Sequence, residues 1–584
     1  MRPVMSNACS RVSRRFLVSA LAVLMALLLL LVSRAHAETQ VPEPQMAPQP
    51  DAVTRLIESR GFIPPSFSRA HVTGAVASMK DGTRDLPAAY DARSQGHVSP
   101  VKNQSTCGSC YAFGTAADLE SRLLVDGQGL FDISENHIKE CNYQNASCGG
   151  GNQFMTMSLL TRQGAVLEGC DPYVAADVGC ATGCADQFLV TEWLELSGNT
   201  APDPAVLKQY IMDHGPIHTT VYAGLGDAWQ TTFNNYNGTG VLYSATSFPQ
   251  PNHSVFIVGW NDALTHGGGT GAWIVKNSWG ASWGGTCGYG TERGYFYIAY
   301  GTACIGQYSS VIKEYMINDA SFQVLSIDEG GCTGGIGFGS TTAWGMVKVT
   351  APEDTYLHRV EFWTTDVTTD VDVRVYGSFS GSTTSNQLAA MDNLSFTEPG
   401  YHYAQLPEPL ALTAGQSVYL AVKTTNQSDT FPVAVDGDGP VNSGASYYGL
   451  NGTSWNSSAG NGFDVTIRAR ISETTELAVD DPGQDLPPSD LPADLQLTLA
   501  YPNPFNPNTT IAFEVAQTAR IDLAIYDLKG ARVRTLVQED RGPGSYEAHW
   551  DGRSDEGLRV PSGVYFCRAG QEQLASSLKL VLLK

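Results

Sequence analysis

Two hydrophobic periods alternate between Leu86 and about residue 312. A helical pattern runs from Tyr111 to Val125, while HSVFIVGW and GAWIVKNSW are short, largely apolar runs of strand length. From about 320 to 473 the pattern becomes short alternating stretches, among them YLHRVEFWTT, VDVRVYGS, SVYLAVKTT and DVTIRARI, separated by turn residues. That spacing predicts an antiparallel sandwich. The acidic, proline-rich DDPGQDLPPSDLPADL marks a linker over 474–494. After it, TTIAFEV, RIDLAIYDL, SYEAHWDG and GVYFCRAG alternate again and predict a small β-sandwich over 495–584. The fold class expected is multidomain, an α+β segment at 86–312 followed by two all-β sandwiches at 320–473 and 495–584.

The first 37 residues read as a signal peptide. Arg11, Arg14 and Arg15 form a basic start, FLVSALAVLMALLLLLV is the apolar core, and Ala35-His36-Ala37 is a small-x-small cleavage site before Glu38. Residues 38–85 then form a short pro-segment. It opens on VPEPQMAPQP, which is not expected to pack. DAVTRLIESRGF follows from Asp51 to Phe62, with an Asp N-cap and a Gly stop. No later stretch is long and apolar enough to cross a bilayer. At 584 residues the chain exceeds one core and implies roughly three or four domains. A net charge of −23 makes nucleic acid and anionic membranes poor partners and fits a solvated acidic surface. The expected setting is secreted or cell-surface, where disulfides are permitted.

The chemistry begins at CGSCYAFG, residues 107–114. A thioredoxin-like redox pair requires a preceding buried strand, which HVSPVKNQST does not provide. A zinc site requires four ligands, and Cys141 and Cys148 are spaced too widely to complete one. The remaining reading makes Cys110 a nucleophile at a helix N-terminus, with Cys107 tied down in a disulfide. Helix-terminal charge and a nearby imidazolium lower a thiol's pKa. The Gln104 side chain and the Cys110 backbone N–H would supply two donors to an oxyanion. This mechanism also demands a histidine and a group to orient it.

QSTCGSCYAF resembles the nucleophile segment of papain-like cysteine peptidases. Two further motifs match that family in order. Asn252-His253-Ser254 precedes an apolar strand 143 residues on (253 − 110), and Lys276-Asn277-Ser278-Trp279-Gly280 follows. The resemblance covers residues 86 to about 312. It implies a two-lobed α+β fold with substrate in the cleft and a Cys-His-Asn site working through an acyl-enzyme. Cys110 would attack the peptide carbonyl, and His253 would form the ion pair and protonate the leaving amine. Asn277 would orient the imidazole, Trp279 would shield that bond, and Gln104 would complete the oxyanion hole. Cys148-Gly149-Gly150-Gly151 matches the family's substrate-strand segment, so Gly150 and Gly151 are expected to bind substrate backbone, with Ser254 and Trp279 beside them. The same match pairs Cys148 with Cys107, and Cys141 with Cys180. His137, His214, His218 and His266 have no such context and are read as structural. Tyr111 stands where the family usually has Trp, and Asn252 where Asp is frequent. The pairing of Cys170, Cys184, Cys287, Cys304, Cys332 and Cys567 is left open. No metal site and no cofactor is expected.

Residues 320–473 resemble, by position and strand pattern, the lectin-like sandwich that follows such peptidases in some secreted prokaryotic proteins. Trp344, Tyr447, Tyr448 and Trp455 are either sugar-stacking or core residues. LAYPNPFNPNTTIAFEV, IYDLKGARVRTL and HWDGRSDEGLRVPSGVYF resemble the immunoglobulin-like C-terminal modules of the hook-capping and type IX sorting kind. Peptide or protein substrates, a carbohydrate or cell-surface ligand, and a secretion machinery are the partners these resemblances imply. An inactive peptidase homologue serving as a binding module, and a peptide ligase using the same acyl-enzyme, are the competing functions.

Overall fold

The computed structural model describes residues 43–48, 61–72, 86–318, 321–475 and the strand-bearing stretches between 495 and 582. The leader, the stretch from Asp51 to Arg60 and the linker beyond 475 lie outside the described residues. Two short strands, β1 (Gln45–Met46) and β2 (Ala89–Asp91), precede three helices, α1 (Cys110–Val125), α2 (Glu135–Glu140) and α3 (Gln153–Arg162). The second lobe is built on β3 (Phe188–Glu195), β4 (Ile217–Val221), β5 (His253–His266), β6 (Gly269–Lys276), β7 (Tyr295–Ala299) and β8 (Gln307–Ile317).

Helix α1 begins one residue before the pattern read from the sequence, and Cys110 to Leu123 are all buried. Its polar residues therefore need internal partners. Asp118 accepts the Ile312 N–H at 3.2 Å. Glu120 accepts Lys102 Nζ at 2.6 Å and the Ile133 N–H at 3.0 Å. Gly114 costs about 1 kcal/mol of helix propensity. It is required because α1 crosses β4 there: a Cβ would lie 2.5 Å from His218 Nε2. Burial drives His218 down to about 3, so it is a neutral packing residue.

The sandwich that follows contains β9 (Phe322–Leu325), β10 (Gly334–Gly337), β11 (Thr342–Thr350), β12 (Thr355–Thr364), β13 (Thr369–Phe379), β14 (Thr384–Phe396), β15 (Gly400–Leu412), β16 (Ser417–Thr425), β17 (Val433–Asp436), β18 (Ser446–Gly449), β19 (Asn456–Ser457), β20 (Asp464–Val465) and β21 (Ile467–Ser472). Period-two alternation sends Val371, Val373 and Val375 inward against Val418, Leu420, Val360 and Phe362. Tyr448 belongs to this core. Trp344, Tyr447 and Trp455 instead pack with Met346 in a separate cluster, in which the indoles of Trp344 and Trp455 meet edge to face.

The two halves share one sheet, in the order β7-β6-β5-β4-β8-β3-β15-β12-β21-β9. The junction is antiparallel: Leu194 pairs with Gly400 and Trp193 with Tyr401. A Cβ at Gly400 would lie 2.0 Å from the Trp193 carbonyl oxygen, so only glycine permits the approach. Trp193, Trp363, Phe154 and Tyr401 interlock around it, with adjacent ring centroids 5.2–5.7 Å apart. Arg468 of β21 forks onto Asp328 and reaches Thr161 of α3 at 2.7 Å.

The proline-rich start of the pro-segment, expected not to pack, does pack. Gln45 and Met46 pair with Gly337 and Ile336 of β10, and the Ala47 N–H donates to Gly335 at 2.7 Å. Prolines are tolerated because this is an edge strand, where the residues between them carry the ladder.

The C-terminal unit stands as its own sandwich. Leu495–Tyr501, Thr509–Val515 and Gly544–Trp550 form one sheet. Arg532–Arg541, Ala519–Tyr526, Gly563–Ala569 and Ser576–Leu582 form the other. Ile511, Phe513, Leu523, Trp550 and Leu580 lie in its core.

At the junction Glu192 of β3 meets His402 of β15 at 2.9 Å and Lys313 of β8 at 2.7 Å. Burial works against its charge, but the hydrogen bonds and charges of His402 and Lys313 carry Glu192 down to about 2. A carboxylate lowered in the folded state adds stability above its unfolded value, near 4.5, and loses it as pH falls toward 2. Glu192→Gln should remove that contribution. Its melting temperature should fall below wild type at pH 6 and converge on it by about pH 2, as read by a thermal melt series.

Candidate active site

Cys110 opens α1, so its sulfur lies at the helix N-terminus, fully buried. Directly before it, Cys107 is bridged to Cys148, and Gly108 lies so close to the Cys148 carbonyl that a Cβ would stand 2.5 Å away. This pins the turn that leads into Cys110. Cys141 is joined to Cys180, and a third bridge links Cys170 to Cys184. Cys110, Cys287, Cys304, Cys332 and Cys567 are free thiols, all buried.

His253 comes from the first residue of β5 and Asn277 from just beyond β6, so the β5–β6 pairing sets them side by side. His253 Nε2 lies 2.8 Å from Asn277 Oδ1. That bond commits Nε2 to Asn277. Asn277 Oδ1 also accepts the Ser278 N–H at 2.8 Å, which fixes the amide's orientation. The Trp279 indole covers the imidazole, with ring centroids 5.0 Å apart, and itself packs on Phe233 and Trp283. Gln104 is held on both sides. Its Nε2 donates to the Cys107 carbonyl at 2.8 Å, and its Oε1 accepts the Ser278 hydroxyl at 2.6 Å. Ser254 is buried beside the thiol, its N–H donating to Cys110 Sγ at 3.2 Å. Asn252, where the family often has Asp, uses its amide on backbone: Oδ1 accepts the Ala223 N–H at 2.8 Å and Nδ2 donates to Gly224 at 3.1 Å.

Residues 61–63 of the chain lie across the groove over Cys110. Gly61 carries φ +123° and lies over the nucleophile, where a Cβ would be 2.7 Å from Cys110 Sγ and 2.6 Å from the Gly108 carbonyl. Phe62 pairs in parallel with Gly151. The Gly151 N–H donates to Gly61 and the Ile63 N–H to Gly151, both at 2.9 Å. The Phe62 N–H reaches the Asn252 carbonyl at 3.3 Å, and Asn152 Nδ2 donates to Ile63 at 3.1 Å. Gly150, at φ +100°, leaves room for Ile63. The Phe62 ring fills a pocket against Tyr308, with centroids 5.4 Å apart.

This coverage alters the chemistry expected of the thiol. Burial pushes Cys110 up to about 12, outweighing the Ser254 and helix-terminal N–H groups that pull it down. With Gly61 and Phe62 packed over the sulfur, that burial favours the protonated thiol.

Sequence reasoning missed Gly61, Phe62, Ile63, Asn152 and Tyr308, because nothing local joins a segment at 61 to a strand at 151. It also missed the charged group beneath the site. Lys102 bridges Glu120, Asp132 and Glu135 at 2.6–2.9 Å, and Lys276 donates to Ser99 at 2.9 Å. Burial raises Glu135 to about 8 and lowers Lys276 to about 8.

Comparison with known proteins follows the same division of the chain. Residues 86–316 match the papain family of cysteine proteases, residues 324–470 the lectin-like domain, and residues 503–573 the FlgD Ig-like domain. Mouse (Mus musculus) cathepsin K is 32% identical over 227 residues, covering 38% of this chain and 64% of that protein. A cysteine proteinase of Trypanosoma brucei brucei is 33% identical, covering 38% of this chain and 45% of its own. The chain thus spans less than two thirds of the length of these curated relatives. Among solved structures, the cysteine protease and lectin-like domains of Cwp84, a surface layer associated protein of Clostridium difficile, share the fold. That match has a TM-score of 0.60 at 19% identity, covering 74% of this chain and 99% of the other. The chain carries a papain-family cysteine protease domain, then a lectin-like domain and an FlgD Ig-like domain.

Proposed function

We infer that this protein is an exported cysteine endopeptidase made as a zymogen, with Cys110, His253, Asn277 and Gln104 carrying the reaction. The observation that supports it most is Asn277 holding His253 beside a helix-terminal cysteine while a stretch of polypeptide lies hydrogen-bonded across that cysteine. Removal of the pro-segment near Leu86 rehydrates the thiol and lets it transfer its proton to His253. The thiolate adds to a peptide carbonyl, and the developing oxyanion is met by Gln104 Nε2 and the Cys110 N–H. The imidazolium then gives its proton to the leaving amine, and water releases the acyl group from sulfur. Asn277 keeps the ring aligned through both transfers. The Phe62 pocket favours a bulky apolar side chain beside the cleavage point. Export rests on the leader at 1–37. The lectin-like domain is assigned to a carbohydrate or cell-surface ligand, and the C-terminal module to delivery through a secretion machinery.

Cys110→Ala should lower kcat by several orders of magnitude in a peptide-hydrolysis assay. Gln104→Ala should cost on the order of 10²–10³ in kcat, as loss of one oxyanion donor does. Wild-type turnover in Cys110→Ala would dismiss the whole mechanism.

Gly61→Ala places a methyl group against the nucleophile at a backbone angle that L-residues avoid, a strain of about 1–3 kcal/mol. In the unprocessed protein it should loosen the segment and speed labelling of Cys110 by an epoxide inhibitor by about tenfold or more. Unchanged labelling would show that Gly61 does not guard the thiol.

A chain ending near Asp480 should keep the full-length kcat/KM on a short peptide, because Met1–Val125 with Leu130–Asp480 forms one compact unit holding every proposed site residue. In the native host the same truncation should collect in the periplasm. Normal export would remove the delivery role.

A further inference from the structure

Beyond the cleft the pro-segment continues along the junction of the two domains. Seven residues after Phe62, Arg69 enters a pocket with one wall from each (69 − 62). Its guanidinium forks onto Glu195, the last residue of β3. Nε lies 3.1 and 2.9 Å from the two carboxylate oxygens, and Nη2 contacts Oε2. Nη1 donates to the Thr365 carbonyl of the lectin-like domain at 2.8 Å. The Phe67 and Phe154 rings lie 5.5 and 5.8 Å from the guanidinium carbon. Glu195 is 1% exposed, and Arg69 is its only side-chain partner among the described residues. A cavity of about 260 Å³ adjoins Arg69 and is bounded on the lectin-like side by Gly335, Thr365, Asp429 and Phe431. A second, of about 180 Å³, runs beside Ile63–Phe67 between Gly150 and Asn152 on one side and Thr333 and Asp438 on the other. Ser66 already donates to the Thr333 carbonyl at 3.0 Å.

These contacts describe a groove that leads from the thiol onto the lectin-like domain and binds extended polypeptide by backbone and side chain. When the pro-segment leaves, Glu195 is stranded. A carboxylate inside a low-dielectric junction without a counter-cation is costly. The site left behind has the parts that recognise a basic side chain: a fork-accepting carboxylate, a carbonyl oxygen aimed at the same guanidinium, and an aromatic wall from Phe154.

We propose that Glu195 and the Thr365 carbonyl form a cation-recognition subsite of the processed enzyme, which takes an arginine or lysine side chain of the polypeptide substrate lying along this groove. The subsite is distinct from the Phe62 pocket and needs the lectin-like domain for one of its walls. It rests on the reading of this protein as a processed peptidase.

The test uses full-length protein whose processing is verified by N-terminal sequencing. Peptides with an aromatic residue next to the cleavage point carry arginine, or norleucine, walked one position at a time along both arms. Wild type should favour arginine over norleucine by about tenfold at one position. That ratio should fall to near one in Glu195→Gln. If Glu195→Gln does not fold because Arg69 loses its partner, Arg69→Gln/Glu195→Gln leaves no unpaired charge and should give the same flat ratio. The same peptides, fluorescently tagged and titrated by anisotropy onto processed protein with Cys110 capped as its S-methyl thioether, read recognition without turnover. A failure of hydrolysis is thereby separated from a failure of the subsite. Equal affinity for arginine and norleucine peptides in wild type, or a preference that survives Glu195→Gln, overturns the proposal.

Discussion

The pairing of Trp193 and Leu194 with Tyr401 and Gly400 is the constraint on which the rest of the arrangement depends. It turns two domains that read as separate into one continuous sheet. Once that ladder is closed, Glu192 must find His402, Glu314 must accept the Tyr403 hydroxyl, and Arg468 must reach Thr161 of α3. The buried Glu192–His402 pair would be costly if one partner moved. The lectin-like domain is therefore held in one register against β3, because sliding it by one residue would break a ladder, that pair and two hydrogen bonds together.

The residues proposed for the site could be picked from the sequence because each sits in a short contiguous motif: Gln104 and Cys110 in one, His253 and Asn277 in two others. Long apolar or alternating runs were legible for the same reason, and SVYLAVKTT became β16 over the residues quoted. What could not be read were contacts between distant segments. The parallel pairing of Phe62 with Gly151, the Arg69–Glu195 fork and the Lys102 cluster each join stretches with no shared local pattern. The state of the thiol was unreadable for a related reason. A helix N-terminus lowers a cysteine's pKa by a local effect that sequence reveals. Desolvation by burial raises it, and only the packed structure reveals that.

The charged group under the site carries a cost the sequence hides. Lys102, Glu120, Glu135 and Lys276 lie between the helix that bears Cys110 and the strands that bear His253 and Asn277. Burial raises Glu135 and lowers Lys276, each to about 8, so near neutrality the fold favours a protonated Glu135 while Lys276 still carries its charge. As pH rises from about 4.5 to 8 the unfolded chain releases the Glu135 proton that the fold retains, which removes stability. Between about 8 and 10.5 the fold has already released the Lys276 proton, and stability returns.

The pro-segment is held at both ends of its described course. Gln45 and Met46 lie on β10, and Arg69 and Val72 are anchored on the domain junction, where the Val72 carbonyl accepts the Gly198 N–H at 2.7 Å. A cut between 73 and 85 would sever the chain yet leave every one of these contacts in place. Cutting that stretch and clearing the groove over Cys110 are then two separate events. The first is a bond broken at a point, and the second is the cooperative unzipping of a strand, a fork and a buried ring.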